Sequence, residues 1–180
     1  MLPPETIEAG DLVLRRWAPE FAVEATAAVQ ESLPELAPFM PWASGAYDLD
    51  ASHDFIKRSA EKWESATEFN YAIFTAAGEL AGSIGLMTRR GPGQLEVGYW
   101  MRTRFAGRGH MTTAVRAVSE AGLGLPGVER VVILHDAANG ASGAVAAKAG
   151  YTEIERVARE PEAPGETGVD VVWEQTRKKR

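Results

Sequence analysis

The sequence contains no cysteine among its 180 residues. That absence excludes disulfides, thiolate metal sites and any acyl-cysteine intermediate. Histidine is scarce as well: His53, His110 and His135 are the only three, too dispersed for a metal cluster, so no metal is expected. No apolar run approaches the roughly 18–20 residues that span a bilayer. The opening stretch MLPPETIEAGD lacks the basic and apolar regions of a secretory signal, and a cytoplasmic protein is the simplest reading. Positive charge is not in excess. A net charge of −6, without a basic stripe interleaved with aromatics, argues against nucleic-acid binding and mildly favours a cationic small partner. Neither G-x-x-x-x-G-K-[ST] nor G-x-G-x-x-G occurs, which sets aside a nucleoside-triphosphate loop and a dinucleotide fold.

Hydrophobic residues make up 45% and charged residues 24% of the chain, an ordinary balance for a globular protein. Residues 1–180 read as one domain, with no repeat or low-complexity segment. The stretch Gln94–Ala121 organises it. Leu95, Val97, Tyr99 and Met101 alternate against Gln94, Glu96, Gly98 and Trp100, the period of a strand. The turn Gly107-Arg108-Gly109 follows, and Met111, Ala114, Val115, Val118 and Ala121 then recur at helical spacing. A strand, a glycine-bracketed turn and a helix start in series can hold an anion. The first-turn N–H groups have no intrahelical acceptors, the helix dipole adds positive potential, and glycine permits close approach. Arg108 adds a charged donor.

Around this stretch, Asp11–Trp17 alternates as a first strand. A helix starting near Pro19 runs to about Ser32, after which prolines at 34, 38 and 41 forbid regular structure. A second helix runs from Asp50 to near Glu68, with Phe55, Ile56, Ala60 and Trp63 on one face. Phe69–Ala76, Glu79–Met87 and the Gln94 strand read as an antiparallel meander. The run 128–136 is an apolar strand suited to burial on both faces. Ala138–Ala149 is a helix capped by Asn139 and ended by Gly150. Tyr151–Arg159 and Val169–Thr176 pair as a final hairpin, and RKKR is a solvated tail. The reading is an α/β fold: a mixed, mostly antiparallel sheet of about seven strands flanked by about four helices.

EVGYWM followed by AGRGHMTTAV resembles the acyl-CoA-binding segment of the GNAT superfamily of N-acetyltransferases. Asn139, Ser142, Val145, Lys148, Gly150 and Tyr151 are similar to the N-x-x-S-x-x-V-x-x-K-x-G-[FY] signature of the branch that contains the Rim-type ribosomal-protein acetyltransferases. The resemblance covers nearly the whole chain. It departs in the loop pattern [QR]-x-x-G-x-[GA], where Ala106 stands first and Met111 last around Gly109. Ala106 brings no side-chain donor, so backbone amides and Arg108 would hold the pyrophosphate. The resemblance implies acetyl-CoA as co-substrate, an amine acceptor such as a protein N-terminus or a small amine, and the GNAT strand order, and it admits a homodimer. Met101, Gly107, Arg108, Gly109, Met111, Thr112, Asn139 and Ser142 are the cofactor-binding candidates it implies.

Acyl transfer from a thioester needs the ammonium deprotonated, the oxyanion stabilised and the thiolate released. Glu96 is the candidate base: a carboxylate in mid-strand is partly desolvated, the setting in which bases are tuned. Its structural alternative is a strand glutamate paired with a nearby arginine. Glu160 and Asp170, around the last loop, are weaker candidates. The resemblance puts Ser142 near the CoA sulfur, where its hydroxyl would assist the thiolate; otherwise it is a first-turn capping serine. Trp42, on the proline-rich loop, and Trp100 are the acceptor-binding candidates, against the more common fate of aromatics as core. A non-catalytic acyl-CoA-binding or sensing domain is the alternative from a different class.

Overall fold

The structure, a computed structural model, describes residues 1–178. The N-terminus forms a hairpin rather than one strand, β1 (Thr6–Ala9) and β2 (Leu12–Arg16), turned at Gly10 with φ +60°. A four-residue strand is too short for alternation to declare it, which is why the sheet holds eight strands where the sequence indicates seven. Helix α1 (Ala22–Leu36) follows a 3-10 turn at Pro19–Phe21. It buries Ala22, Ala25, Ala28, Val29, Ser32 and Leu36, three or four residues apart as a packed face requires. The expectation that Pro34 forbids helix is corrected: it lies inside α1. In the final turn its ring forfeits only the bond to the carbonyl of Gln30, which is exposed and can be hydrated. Pro41 opens another 3-10 turn, Pro41–Ala43.

Helix α2 (Leu49–Glu64) is capped by Asp48, which accepts from the Ala51 amide. It stops four residues short of the expected end because Ala66 turns to φ +58° and Glu68 already begins β3 (Glu68–Phe74). Then come β4 (Leu80–Met87), β5 (Gln94–Met101), α3 (His110–Gly124), β6 (Arg130–Asp136), α4 (Gly140–Lys148), β7 (Thr152–Ala158) and β8 (Val169–Thr176). The strand order is β1-β2-β3-β4-β5-β6-β8-β7. The β3–β4–β5 meander and the β7–β8 hairpin form as read. The larger apolar cluster joins Leu86, Val97, Val131 and Ile133 to Val115 and Val118 of α3 and Ala146 of α4. The smaller one packs Ala25 and Ala28 of α1 and Ile56 of α2 on Ala72 and Leu80. At the C-terminus Arg177 is docked rather than free, donating to the Leu125 carbonyl at 2.7 Å; residues 179–180 of the basic tail lie outside the described residues.

Candidate active site

All neighbouring strands are antiparallel except β5 and β6, which pair in parallel through only three positions, Gln94↔Arg130 to Glu96↔Val132. Beyond Glu96 the strands part. β5 continues to Met101 against β4, and β6 continues to Asp136 against β8. The wedge opens into a cavity of about 1490 Å³, and the starts of α3 and α4 both reach it: His110, Met111 and Thr112 line it from one, Asn139, Ala141 and Ser142 from the other. Among the described residues, the β5 backbone edge facing β6 has no strand partner from Val97 onward, so its polar groups are open to a ligand.

On this side the cavity is lined by Met101, Gly107, Gly109, Met111, Thr112, Asn139 and Ser142, the residues named from sequence. Gly107 and Gly109 have φ +75° and +78°, the left-handed region that glycine occupies without steric cost. Among the described residues, the amides from Gly107 to Thr112 donate to no backbone carbonyl. Arg108 is not brought into the cavity. It is exposed and its guanidinium lies over the Phe105 ring, 5.8 Å from the centroid. Asn139 caps α4 by accepting from the Ser142 amide at 3.3 Å, so the Ser142 hydroxyl is not the cap. It sits instead 2.7 Å from the Tyr99 hydroxyl. Burial pushes the Tyr99 phenol up to about 12, against the opposing hydrogen bond from Ser142, so the phenol stays protonated at neutral pH.

Glu96 stands where β5 and β6 part, 6% exposed and on the cavity wall. Its carboxylate accepts from Arg89 Nε at 3.0 Å and from a second Arg89 nitrogen. The arginine pairing considered from sequence is therefore present, and it fixes the carboxylate at the apex of the wedge. Across the cavity Trp42 lies 6.2 Å from Trp100 and 5.9 Å from Tyr47 between ring centroids, so the two candidate tryptophans form one aromatic wall. Asp170 lines the cavity but is held by Arg159 at 2.7 Å, and Glu160 is exposed.

Side chains also fix the two loops at the mouth. Asp136 accepts from the Thr167, Ala138 and Gly168 amides and from the Thr167 hydroxyl at 2.9–3.0 Å. Burial alone would raise its pKa, but these donors outweigh that and hold it well below the usual carboxylate range. The loop so pinned reaches the α1–α2 loop, where the Gly165 amide donates to the Pro38 carbonyl at 2.8 Å. Because the folded pKa is depressed, the stabilisation from Asp136 is complete above the unfolded value of about 3.9 and is lost as pH falls below it. Asp136→Asn should lower Tm by roughly 5 °C at pH 7 and lessen the acid-side fall. Thermal melts of both proteins between pH 3 and 8 check this; identical curves would refute it.

Helix α1 grips the approach to the glycine turn. Glu31 pairs with buried Arg102 at 2.6 Å and with Arg104 at 2.7 Å; Ser32 Oγ accepts from the Thr103 amide at 3.0 Å and Glu35 from the Thr103 hydroxyl at 3.0 Å.

The family model for an acetyltransferase (GNAT) domain matches residues 11–152. The chain belongs to the GNAT acetyltransferase family. A search of curated protein sequences returned no match. Among solved structures, a microcin self-immunity acetyltransferase, MccE, in complex with acetyl-CoA and AMP superposes with a TM-score of 0.89 at 19% identity, covering 98% of both chains. A ribosomal-protein alpha-N-acetyltransferase, RimL, in complex with coenzyme A gives 0.87 at 19%, covering 96% of this chain and 98% of that one. RimJ of Mycobacterium smegmatis gives 0.87 at 19%, covering 98% and 90%. At this identity the superpositions speak to the fold, and they include the Rim-type branch that the motifs resemble.

As a GNAT member the chain is an N-acetyltransferase, and acetyl-CoA is its co-substrate. The parted strands, the open β5 edge and the bare glycine amides fit that molecule. Among the described residues no helix is long and apolar enough to cross a membrane. Sequence reading of this GNAT site missed Tyr99, visible only as a core-facing strand residue until α4 is packed against it. It also missed the loop cluster on Asp136, whose partners lie some thirty residues on in sequence.

Proposed function

We propose that the protein transfers the acetyl group of acetyl-CoA to a primary amine by direct attack, with Glu96 as general base and Ser142 assisting the departing thiolate. The observation that carries this reading is the shared cavity at the β5–β6 wedge, where Glu96, Ser142 and the bare amides of the glycine turn line one space. The backbone of residues 107–112 holds the pyrophosphate, with the dipole of α3 behind it. The open edge of β5 takes the amide-bearing arm, and the acetyl carbonyl lies beside the point where the strands part. Trp42 and Trp100 wall the acceptor side.

Glu96, directly or through one water, takes the ammonium proton. The amine lone pair forms the C–N bond at the thioester carbonyl, and the C–S bond breaks. The thiolate leaves against the Ser142 hydroxyl and takes up the proton that the nitrogen sheds on becoming an amide, so that CoA departs as the free thiol, while Glu96 passes the ammonium proton to solvent. The Tyr99 hydroxyl, 2.7 Å from that of Ser142, holds the serine side chain in place for that role. The bidentate Arg89 pair makes Glu96 a fixed acceptor. The acceptor itself is a protein N-terminus or a small amine, and the acidic net charge favours a cation approaching the mouth.

The test is incubation with acetyl-CoA and a panel of amines: peptides with free serine or alanine N-termini, amino acids, a polyamine and an aminoglycoside. Gain of one acetyl group by mass is expected, and no transfer to any amine would reject the reading. With an active acceptor, Ser142→Ala and Tyr99→Phe should each lower kcat by only about three- to tenfold, because a thiolate of pKa near 8–9 leaves readily without an acid. KM for acetyl-CoA should stay unchanged. An unaltered kcat in both variants, with chemistry limiting the rate, would remove the hydroxyl pair from the mechanism.

A further inference from the structure

The floor of the cavity on the acceptor side is a patch of β3, β4 and β5, and the register there lines up three rows. Glu68, Met87 and Glu96 form one row, Asn70, Gly85 and Gly98 the next, and Ala72, Ser83 and Trp100 the third. The middle row contains two glycines side by side, and the room their missing side chains leave is taken by the Asn70 amide oxygen over Gly85 and by the Met87 methyl over Gly98. Asn70 lines the cavity beside them. Its Nδ2 donates to Ser59 Oγ and to Glu68 Oε2, both at 3.3 Å. A carboxylate only accepts, so the nitrogen end of the amide faces Glu68 and the oxygen end faces Gly85. The Oδ1 lies over Gly85, where an added Cβ would collide with it. Among the described residues nothing donates to this oxygen. The two carboxylates of the neighbouring row are committed, Glu68 to Lys62 at 2.7 Å and Glu96 to Arg89.

We infer that Asn70 is the specificity-determining residue that orients the acceptor amine, its Oδ1 accepting one N–H of a primary amine held in the cavity it lines. This rests on the reading of the cavity as an acetyltransferase site with an amine acceptor. An uncharged amide oxygen suits the nucleophile better than a carboxylate, because it holds an N–H without stabilising the unreactive ammonium form. The hydrogen count then selects the substrate. A neutral primary amine has two N–H bonds and a lone pair. The lone pair goes to the acetyl carbon, one proton is shed as the amide forms, and the N–H that survives in the amide product stays on Asn70. A secondary amine has a single N–H, which it must shed, and it leaves Oδ1 without a donor.

The experiment uses the primary amine most rapidly acetylated in the panel above and its N-methyl form, with the wild type, Asn70→Ala and Gly85→Ala. The second variant keeps Asn70 but fills the place of its oxygen. Both should lower kcat/KM for the primary amine by about tenfold, the loss expected for one buried hydrogen bond. Both should also shrink the preference for the primary over the N-methyl amine by about tenfold, with KM for acetyl-CoA unchanged. A preference that stays at the wild-type value in both variants would overturn the assignment. So would loss of acetyl-CoA binding in both, which would mark a structural role. If the wild type acetylates no amine, the acetyltransferase reading fails first and takes this assignment with it; if it does so but ignores the substitutions, only Asn70 is wrong.

Discussion

Replacing Glu96 with glutamine is expected to lower turnover by roughly 10²–10⁴-fold, the usual range for loss of a positioned general base. Glutamine keeps the length and shape of the side chain and can still accept from Arg89 through its carbonyl oxygen, but it takes no proton. Affinity for acetyl-CoA should scarcely change, because Glu96 stands at the apex of the wedge while the glycine turn lies beyond the far end of β5. Two controls separate chemistry from packing. Arg89→Ala loosens the carboxylate but leaves it in place, so turnover should fall far less than in the glutamine variant. In the glutamine variant the loss should lessen toward high pH, where the amine supply no longer depends on a base. Steady-state rates between pH 6 and 9 with a saturating acceptor check both. Wild-type turnover in the glutamine variant would transfer the role to a carboxylate of the loop, where Glu162 and Glu166 also line the cavity.

Gly109→Val is expected to weaken CoA binding by about a hundredfold or more, by blocking the approach of the pyrophosphate to the backbone. Among the described residues, and its immediate chain neighbours aside, no atom lies within 4 Å of a Cβ built on Gly109, so the added bulk is expected to meet the ligand and not the protein. The left-handed backbone complicates the variant, since a branched residue at φ +78° is strained by about 1–2 kcal/mol. Gly109→Asn resolves this: asparagine tolerates that region, so its fold should be close to wild type while its side chain still obstructs the phosphates. Calorimetric titration with CoA on both variants, alongside melting curves, is the measurement. Wild-type affinity in a folded Gly109→Asn protein would show that the pyrophosphate lies elsewhere.

The parts of the site legible in the sequence are those encoded over short spans. The alternation of β5, the glycine turn and the start of α3 are contiguous, and Asn139 and Ser142 lie within one helical turn, so local periodicity and capping rules reach them. Arg108 shows the limit of that reading: its charge next to the glycines suggested a phosphate ligand, but Phe105 offers its ring to the guanidinium. Residues defined by a partner far along the chain were not legible. Asn70 matters because β4 brings Gly85 beneath its amide, and Tyr99 because α4 brings Ser142 to its hydroxyl. The hairpin at Gly10 escaped for a related reason: its first strand is too short to show a period. Pro34 is helical because it stands in a last turn, where the forfeited carbonyl faces water, and the rule against proline holds for helix interiors.

The grip of α1 on Arg102, Thr103 and Arg104 ties the cofactor turn to the helix whose C-terminal end leads directly into the loop bearing Trp42. The gripping residues Glu31, Ser32 and Glu35 all lie in the last two turns of that helix, so the glycine turn and the aromatic wall are braced by one short stretch of chain. In kinetic terms the expected result is an order of addition, the nucleotide thioester entering before the amine, and initial-rate patterns with both substrates varied check it.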